Sequence, residues 1–457
     1  MILPLNDVLT MLACFALSGL LSFSYPHVDE TWAAVLVLLV AGCIVVFQQL
    51  GHYSRRRQFW QEVGDVILAA GVSFLLHAAL LYLLKINFSR LWMMTSWVLI
   101  AFLIPLSRQV TKRVSLSLGG WKQRTVIVGT GEIARETASI YAADPHLGYD
   151  VVAFIDPWQE APARMRVEER EVPVHKLARD DVTLPSWLGR PHVVVALDLN
   201  DLPGRETLIE KLSLYHGDID VISPVRGLPI SNARVSHFFS YDILSLRICN
   251  NLARPWSQVL KRAFDIVAAS AMLVFLAPLL GVIALLVRSG GAPVVFAHTR
   301  VGRHGRLFQC LKFRTMVPDA RTVLNRLLAS DPEARAEWER SYKLKDDPRI
   351  TAFGAFLRKT SLDELPQLWN VLRGDMSLVG PRPVVADEIE RYGDAKAYYY
   401  EVRPGLTGLW QISGRSDLDY DRRISLDTWY VRNWTLWYDV LILFKTLLTV
   451  PAKAGAY

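Results

Sequence analysis

The sequence predicts a multi-domain membrane protein with a four-helix transmembrane bundle, a Rossmann-like α/β domain and a C-terminal α/β domain that includes a re-entrant membrane helix. Three observations favour this fold class. Hydrophobic residues make up 51% of the 457 residues, four apolar segments lie in the first quarter, and alternating strand and helix patterns follow them. We place the three domains at residues 1–120, 121–250 and 256–457.

Four apolar segments near the N-terminus are long enough to be transmembrane helices. They cover residues 4–25, 31–50, 65–84 and 91–106, and each approaches the ~20 residues that cross the hydrocarbon core. No basic residue precedes the first segment, so we expect an anchor rather than a cleaved signal peptide. Basic clusters after the second and fourth segments predict that both of these loops face the cytoplasm.

The charge distribution favours contact with anionic headgroups or phosphates. The formal net charge is +7, and no nucleic-acid-binding module is recognisable. No pair of opposite charges within the four segments marks a transport path, so we expect Asp7 and His77 to lie at the interface or inside the bundle. The four cysteines form no CxxC pair, which predicts neither a zinc site nor a disulfide framework.

The middle domain begins with a pattern typical of nucleotide-binding folds. An apolar strand runs into a turn that contains Gly129 and Gly131, and a second strand ends at Asp156, where an acid would contact a ribose. The same glycines also allow a helix to pack closely on a strand, so nucleotide binding stays open. Because this domain has no Tyr-x-x-x-Lys pair, we expect a regulatory or structural role.

Another long apolar segment precedes the C-terminal domain. It is long enough to span a membrane, but Pro278 near its middle removes a backbone donor and predicts a break. A crossing would also place the following arginines outside the cytoplasm, against the basic residues at both ends. We therefore predict a re-entrant helix-break-helix hairpin over residues 261–288.

Two adjacent carboxylates, Asp363 and Glu364, lie near the centre of the C-terminal domain. Thr360 and Ser361 each precede an acid by three residues, which predicts a capped helix start with Gly374 as its stop. Acids that only cap a helix need no chemistry. Neighbouring helical positions differ by about 100°, so the two acids cannot both point at one atom from the same direction. We expect them to divide their roles between a phosphorus and a divalent cation.

Basic residues near the two acids indicate a phosphate site. The candidate contacts are Lys312, Arg314, Arg358, Arg382, Arg403 and Arg415. Strand alternation puts Lys312 and Arg314 on the same side of a predicted hairpin strand, where they could clamp a diphosphate. The other interpretation is an exposed edge strand protected by charge.

Four motifs resemble those of bacterial sugar transferases, the polyprenyl-phosphate hexose-1-phosphate transferases. They are KFRTM at 312–316, TSLDELPQ at 360–367, GDMSLVGPRP at 374–383 and RPGLTGLWQISGR at 403–415. The whole layout is most similar to the long undecaprenyl-phosphate galactose phosphotransferases. Members of the family commonly have Ser-Pro at the hairpin break, whereas this chain has Ala277-Pro278.

This resemblance implies transfer of a hexose 1-phosphate from a UDP-sugar to undecaprenyl phosphate, with release of UMP. It implies that Asp363 is the nucleophile, that Glu364 holds Mg²⁺, and that the six basic residues contact phosphate or uridine. The helix N-terminus would keep Asp363 ionised. Direct transfer with Asp363 as a general base, and the choice between galactose and glucose, are not decided by the residues.

The resemblance also implies a location and a set of partners. It implies a multi-pass protein of the bacterial inner membrane, with the catalytic domain on the cytoplasmic side and membrane lipids around the helices. The step would begin O-antigen, capsule or exopolysaccharide synthesis. We further expect a homodimer, because two-fold symmetry is the commonest.

Two other function classes would explain parts of the sequence. A membrane-anchored NAD-dependent sugar-nucleotide dehydratase fits the middle domain, but it predicts a Tyr-x-x-x-Lys pair there. A non-enzymatic polysaccharide-export or sensor protein fits the anchor, but it predicts that Asp363 and Glu364 are dispensable. Neither class gives the C-terminal motifs a role.

Overall fold

The structure is a computed structural model that forms two compact units, residues 1–226 and 227–457, which we describe separately. The described residues are 2–21, 30–86, 89–157, 161–176, 189, 191–198, 206–216, 219–223, 234–237, 244–247, 251–252, 254–341, 344, 347–414 and 418–452.

Four long helices form the first part of the N-terminal unit. Their bounds are α1 (Ile2–Leu21), α2 (Glu30–Gln49), α3 (Phe59–Leu83) and α4 (Arg90–Ser117). Their inward faces share one apolar core, which includes Trp32, Phe47 and Trp97. All four predicted helices are present, but α3 begins earlier and α4 ends later than the hydropathy pattern indicated.

Two ion pairs are buried where α1 begins and α4 ends. Arg108 donates through Nε and Nη2 to the two carboxylate oxygens of Asp7, at 2.9 and 2.6 Å. Lys112 Nζ donates to both carboxylate oxygens of Glu62, at 2.8 and 2.7 Å. Arg108, Lys112 and Glu62 lie outside the four predicted segments, and they belong to these helices because α3 begins earlier and α4 ends later than predicted. The expectation that no charge pair marks a transport path therefore stays a prediction.

Asp7 and His77 both lie inside the packed helices, which is one of the two expected positions. Tyr53 donates a hydrogen bond to Asp7 Oδ2 at 2.7 Å. Trp97 Nε1 donates to His77 Nδ1 at 3.1 Å. Both polar side chains therefore have partners within the protein, as buried polar groups require.

The second part of this unit is a six-stranded sheet with helices on both faces. Its elements are β1 (Gln123–Val128), α5 (Glu132–Ala143), β2 (Tyr149–Asp156), β3 (Arg164–Val167), β4 (Arg170–Lys176), β5 (His192–Val195), α6 (Glu206–His216) and β6 (Ile219–Val221). Five strands run parallel in the order β4-β2-β1-β5-β6, and β3 pairs antiparallel with β4. The predicted parallel sheet is confirmed.

Successive side chains of the central strand β1 point to opposite faces of the sheet, which explains why helices pack on both faces. Val126 and Val128 of β1 lie in one apolar cluster with Leu212 of α6, whereas Ile127 lies in another cluster with Ala134 of α5. The strand order reverses between β1 and β5, so the turn after β1 lies at the topological switch point of the sheet. This is where a Rossmann-type domain would hold a ligand.

The C-terminal unit contains a long apolar helix, α7 (Pro255–Ser289). The helix continues past Pro278, so the predicted break is not present as an interruption. A proline removes one hydrogen bond and can bend a helix without ending it, since the apolar residues on both sides keep helical hydrogen bonds. Within the described part of the chain, five helices are long and apolar enough to cross a membrane: α1–α4 and α7.

The rest of the C-terminal unit consists of short elements. They are β7 (Arg234–His237), β8 (Leu244–Arg247), β9 (Val295–Val301), β10 (Leu307–Phe313), α8 (Ala320–Ser330), α9 (Pro332–Ser341), α10 (Ala352–Thr360), α11 (Gln367–Arg373), β11 (Ser377–Val379), α12 (Ala386–Ile389), α13 (Lys396–Glu401), β12 (Gly405–Thr407), α14 (Leu409–Ile412), α15 (Tyr420–Asn433) and α16 (Leu436–Ala452). β9 and β10 form the predicted antiparallel hairpin, and β11 pairs in parallel with β12.

We predict that Arg108→Met destabilises the protein far more than Arg113→Met. Removing the Arg108 guanidinium leaves the buried Asp7 carboxylate without its charge partner, which costs about 3–5 kcal/mol. Arg113 lies on the same helix but is exposed, so its replacement should cost less than about 1 kcal/mol. Thermal unfolding of the protein in detergent measures both effects.

The double variant Asp7→Asn/Arg108→Met should recover part of the loss, because it leaves no unpaired buried charge. Equal unfolding temperatures for the Arg108→Met and Arg113→Met single variants would contradict a stabilising buried pair.

Candidate active site

The two adjacent acids lie in a 3-10 turn, Leu362–Glu364, between α10 and α11. Ser361 ends α10 in the left-handed region with φ 58°, so it lacks the extended backbone of a helix cap. The predicted capping pattern is wrong: the Thr360 hydroxyl donates back to the carbonyl of Phe356, and Ser361 makes no side-chain cap. The predicted stop is confirmed, since Gly374 ends α11 with φ 92°.

A single ammonium group contacts both acids. Lys312 Nζ lies 2.7 Å from Glu364 Oε1 and 3.9 Å from Asp363 Oδ2. The prediction assumed a regular α-helix, whereas the acids lie in a tighter 3-10 turn in which both carboxylates approach Lys312. The division of roles between the two acids stays a prediction.

The environment of Asp363 raises the pKa of its carboxyl group to about 6. The main cause is burial, since only 11% of the side chain is exposed and burial disfavours the ionised form. Lys312 and Arg358 lower the pKa, whereas Glu364 raises it. Asp363 is therefore mostly ionised at pH 7, and two basic side chains oppose the effect of burial.

A buried asparagine fixes the strand that carries Lys312. Asn370 on α11 accepts a hydrogen bond from the Leu311 amide at 3.0 Å and donates one to the Gln309 carbonyl at 2.8 Å. Asn370 is fully buried. It therefore sets the position of β10 against the helix that follows the two acids. Sequence analysis missed this residue, although a polar side chain within an apolar helical stripe was an available signal.

Arg314 does not lie with Lys312 beside Asp363 and Glu364. Its Nη2 donates to the carbonyls of Val287 and Gly291, at 2.9 and 2.8 Å. Arg314 follows the last residue of β10, so strand alternation no longer directs its side chain. These bonds hold the end of β10 to the end of α7, and the predicted clamp by two cations on one strand is not formed.

Arg358 lies beside the acids and is also held by the protein. Its Nε donates to Thr315 Oγ1 at 2.9 Å, and its charge acts on Asp363. α10 approaches closely here, since a Cβ atom on Gly354 would lie 2.0 Å from the Thr315 carbonyl oxygen. Among the predicted cations that the structure describes, Lys312 and Arg358 are thus the two that the fold brings to Asp363.

Arg403 lies at the end of α11, where it contacts the backbone. Its Nε donates to the Gly374 carbonyl at 2.7 Å. Burial lowers the pKa of Arg403, and the nearby Arg262 and Arg303 lower it further. This position gives Arg403 a structural contact. Arg415 lies outside the described residues.

Arg382 lies near a basic residue that sequence analysis missed. The Arg382 guanidinium is 5.8 Å from the centre of the Trp410 ring. Burial lowers the pKa of Arg300 on β9, and repulsion by Arg382 lowers it further. The nearest acid to Arg300 is Glu388, at 4.0 Å. Two cations held this close to each other favour an anion between them.

Charged residues at the start of α7 attach this helix to the rest of the unit. Asp265 Oδ1 accepts hydrogen bonds from Ser377 Oγ at 3.0 Å and from the Leu378 amide at 3.1 Å. Lys261 Nζ donates to Asp439 Oδ2 at 2.8 Å. α7 is therefore fixed to β11 and α16 by buried polar contacts.

Comparison with known proteins decides the family. Residues 256–453 match the family model described as bacterial sugar transferase. The undecaprenyl-phosphate galactose phosphotransferase of Salmonella typhimurium is 44% identical over 414 residues, which cover 90% of this chain and 85% of that protein. The chain belongs to the bacterial sugar transferase family. The family resemblance of the four C-terminal motifs is confirmed.

Two further relatives extend the match along the whole chain. The UDP-galactose-lipid carrier transferase of Erwinia amylovora is 39% identical over 468 residues, covering 100% of this chain and 97% of that protein. The UDP-glucose:undecaprenyl-phosphate glucose-1-phosphate transferase of Escherichia coli is 28% identical over 464 residues, covering 96% and 91%. Residues 48–178 also match a model described as a CoA-binding domain.

We predict that Asn370→Ala lowers stability by about 1–3 kcal/mol, because it removes two hydrogen bonds that a fully buried side chain makes to β10. Trp369→Ala is the matched control, since Trp369 is the exposed neighbour on the same helix. Thermal unfolding measures the loss, and hydrogen exchange should show faster exchange of the Leu311 amide in Asn370→Ala only. Unchanged exchange at Leu311 would show that Asn370 does not hold the strand.

Proposed function

We propose that this sugar transferase moves galactose 1-phosphate from UDP-galactose to undecaprenyl phosphate and releases UMP. One observation carries the reaction class: a buried carboxylate, Asp363, lies beside Glu364 and Lys312 within the segment that matches the family. The choice of galactose rests on the relatives. Those named for galactose are 44% and 39% identical, whereas the one named for glucose is 28% identical.

The proposed reaction has two steps, with Asp363 as the nucleophile. A carboxylate oxygen of Asp363 attacks the sugar-side phosphorus, the bond from that phosphorus to the bridging oxygen breaks, and UMP leaves. A phosphate oxygen of undecaprenyl phosphate then attacks the phosphoryl-aspartate and regenerates the free carboxylate. Two displacements replace one difficult transfer. Burial supports this role, because a poorly hydrated carboxylate attacks more readily than one surrounded by water.

The acidic pair is also suited to a magnesium ion. Among the described residues, no group of three metal-binding side chains is present. Mg²⁺ commonly uses one or two carboxylates and takes its other ligands from substrate phosphates and water. Glu364, whose side chain is 33% exposed, would hold the ion, which when bound would neutralise charge on the diphosphate. Lys312 now contacts Glu364 and would be free to bind a phosphate oxygen instead.

The basic residues divide into three groups in this proposal. Lys312 and Arg358 lie at Asp363 and would stabilise the negative charge that spreads over the phosphoryl oxygens. Arg382, with its neighbour Arg300, would bind another part of the donor. Arg314 and Arg403 would act through the backbone groups they hold.

The membrane arrangement is part of the same proposal. α1–α4 would form a transmembrane bundle within residues 1–120, followed by a Rossmann-like domain at 121–250 and the catalytic domain at 256–457. α7 would enter the inner membrane from the cytoplasmic side and return, with Pro278 as the bend within a continuous helix. Because UDP-sugars are cytoplasmic, a re-entrant helix keeps Asp363 with its substrate. Two copies would form a homodimer.

The two other function classes explain less. A dehydratase would leave Asp363 and its cations without a role, and the C-terminal half of the chain matches the transferase family. A non-enzymatic protein would have no use for a buried carboxylate held beside Lys312 and Arg358. We therefore retain the transferase alone.

The first experiment measures UMP release by the protein in detergent with Mg²⁺ and undecaprenyl phosphate. UDP-galactose and UDP-glucose are supplied separately to the native protein and to Asp363→Asn. We expect UMP with UDP-galactose, and a loss of about 10³-fold or more in Asp363→Asn, because an amide is not a competent nucleophile. Exposed Asp387→Asn is the matched control and should keep activity.

A second measurement separates the two-step reaction from direct transfer. The two-step reaction predicts a covalent sugar-phosphate adduct that forms on the native protein without the lipid and is missing in Asp363→Asn. Full activity in Asp363→Asn would rule out the proposed mechanism. UMP release with UDP-glucose alone would contradict the choice of galactose but not the reaction class.

We predict that adduct formation weakens at acidic pH with a midpoint near 6, the pKa of buried Asp363. The ionised form attacks, and this raised pKa means that the ionised form is lost as the pH falls through 6, by about tenfold for each further unit. A single-turnover assay with the donor alone measures the rate between about pH 5 and 8.

Omitting the lipid is essential to this assay, because a phosphate monoester also titrates near pH 6. A rate that stays constant down to pH 5 would contradict a raised pKa for the attacking group.

A further inference from the structure

The turn that could hold a phosphate in the middle domain is occupied by a carboxylate of the chain itself. Rossmann-type domains bind a pyrophosphate against the backbone amides at the start of the helix after β1. Here Asp198 accepts hydrogen bonds from the amides of Glu132 and Ile133, at 3.0 Å to Oδ2 and 3.1 Å to Oδ1. These two amides lie at the start of α5. The backbone donors that would bind a phosphate there are therefore already hydrogen-bonded to Asp198.

The two glycines of the nucleotide-binding pattern are required by this internal packing. A Cβ atom on Gly131 would lie 1.8 Å from Asp198 Oδ2, and one on Gly129 would lie 2.1 Å from the carbonyl oxygen of Ala196. Ala196 and Asp198 both follow β5, the neighbour of β1 in the sheet. The glycines therefore make room for residues 196–198, which occupy the switch point where a ligand would lie.

The acid at the end of β2 is also engaged within the domain. Asp156 is fully buried, and its Oδ2 accepts a hydrogen bond from the Ala161 amide at 2.7 Å. In a nucleotide-binding domain, an acid at this position faces a ribose hydroxyl. Here the carboxylate holds the Ala161 amide, which lies shortly before β3.

We propose that Asp198 acts as an internal anion and that the middle domain takes no nucleotide diphosphate at this turn. A bound pyrophosphate would have to displace Asp198 from two amides and would then lie beside the displaced carboxylate. The match to a CoA-binding model therefore reflects the fold and not a site for CoA, whose diphosphate needs the same donors. The middle domain therefore has a structural role, and the Asp198 carboxylate is part of its folded structure.

The test compares full-length native protein in detergent with Asp198→Ala. Asp144→Ala is the matched control, because the Asp144 carboxylate accepts from the His146 amide in the same domain but not at this turn. Thermal unfolding is measured in phosphate-free buffer with added inorganic phosphate, CoA or NAD⁺. Hydrogen exchange of residues 126–135 reports on the turn itself, and UMP release checks that the catalytic unit is intact.

We expect the native protein to show no ligand-dependent protection of residues 126–135. Asp198→Ala should unfold about 2–4 °C lower, because α5 loses its cap, and phosphate should restore both stability and protection. Asp144→Ala should gain no response to phosphate. UMP release should be unchanged in all three proteins.

Protection of this turn by CoA or NAD⁺ in the native protein would overturn the proposal. An Asp198→Ala protein that responds to phosphate no more than the native protein would also overturn it. Should Asp198→Ala fail to fold, Asp198→Asn removes the charge but keeps one acceptor oxygen, and the same comparison applies.

Discussion

The proposed reaction depends on keeping one buried carboxylate, Asp363, ionised. Burial raises the pKa of the acid, whereas Lys312 and Arg358 lower it. Lys312, 3.9 Å away, and Arg358 offset part of the cost of burial, so the pKa rises only to about 6. The adjacent Glu364 raises the pKa of Asp363 further. The two cations are therefore needed more to keep Asp363 ionised than they would be at an acid without a neighbouring carboxylate.

Each group at Asp363 is positioned by a separate part of the chain, which explains the extent of the buried polar framework. β10 carries Lys312 and is tied to α11 by Asn370. α10 carries Arg358 and packs closely on β10 because Gly354 has no side chain. α7 is joined to β11 through Asp265. An apolar core would allow these elements to slide, whereas directional hydrogen bonds fix their register.

The sequence was a good guide where a signal is repeated along a segment. Hydropathy located the four N-terminal helices. The succession of strand and helix patterns located the parallel sheet, and two neighbouring strand patterns located the β9–β10 hairpin. Four motifs located the family. It failed where one local geometry decides the outcome. The left-handed Ser361 turns a predicted helix start into a 3-10 turn, and Arg314 turns away from Lys312 because its strand has ended. Asn370 acts through contacts that are distant in sequence, which periodicity does not reveal.

Two aspartates of this chain lie at the ends of helices and have opposite consequences. Asp198 receives two backbone hydrogen bonds at the start of α5, so its charge is compensated and its oxygens are held in a fixed position. Asp363 is buried in a short turn after α10, and the opposing charges of Lys312 and Arg358 are on side chains and not on backbone amides. A carboxylate at a helix end is therefore not in itself a sign of chemistry. We propose that burial compensated by charged side chains, as at Asp363, distinguishes a reactive acid from one compensated by backbone amides, as at Asp198.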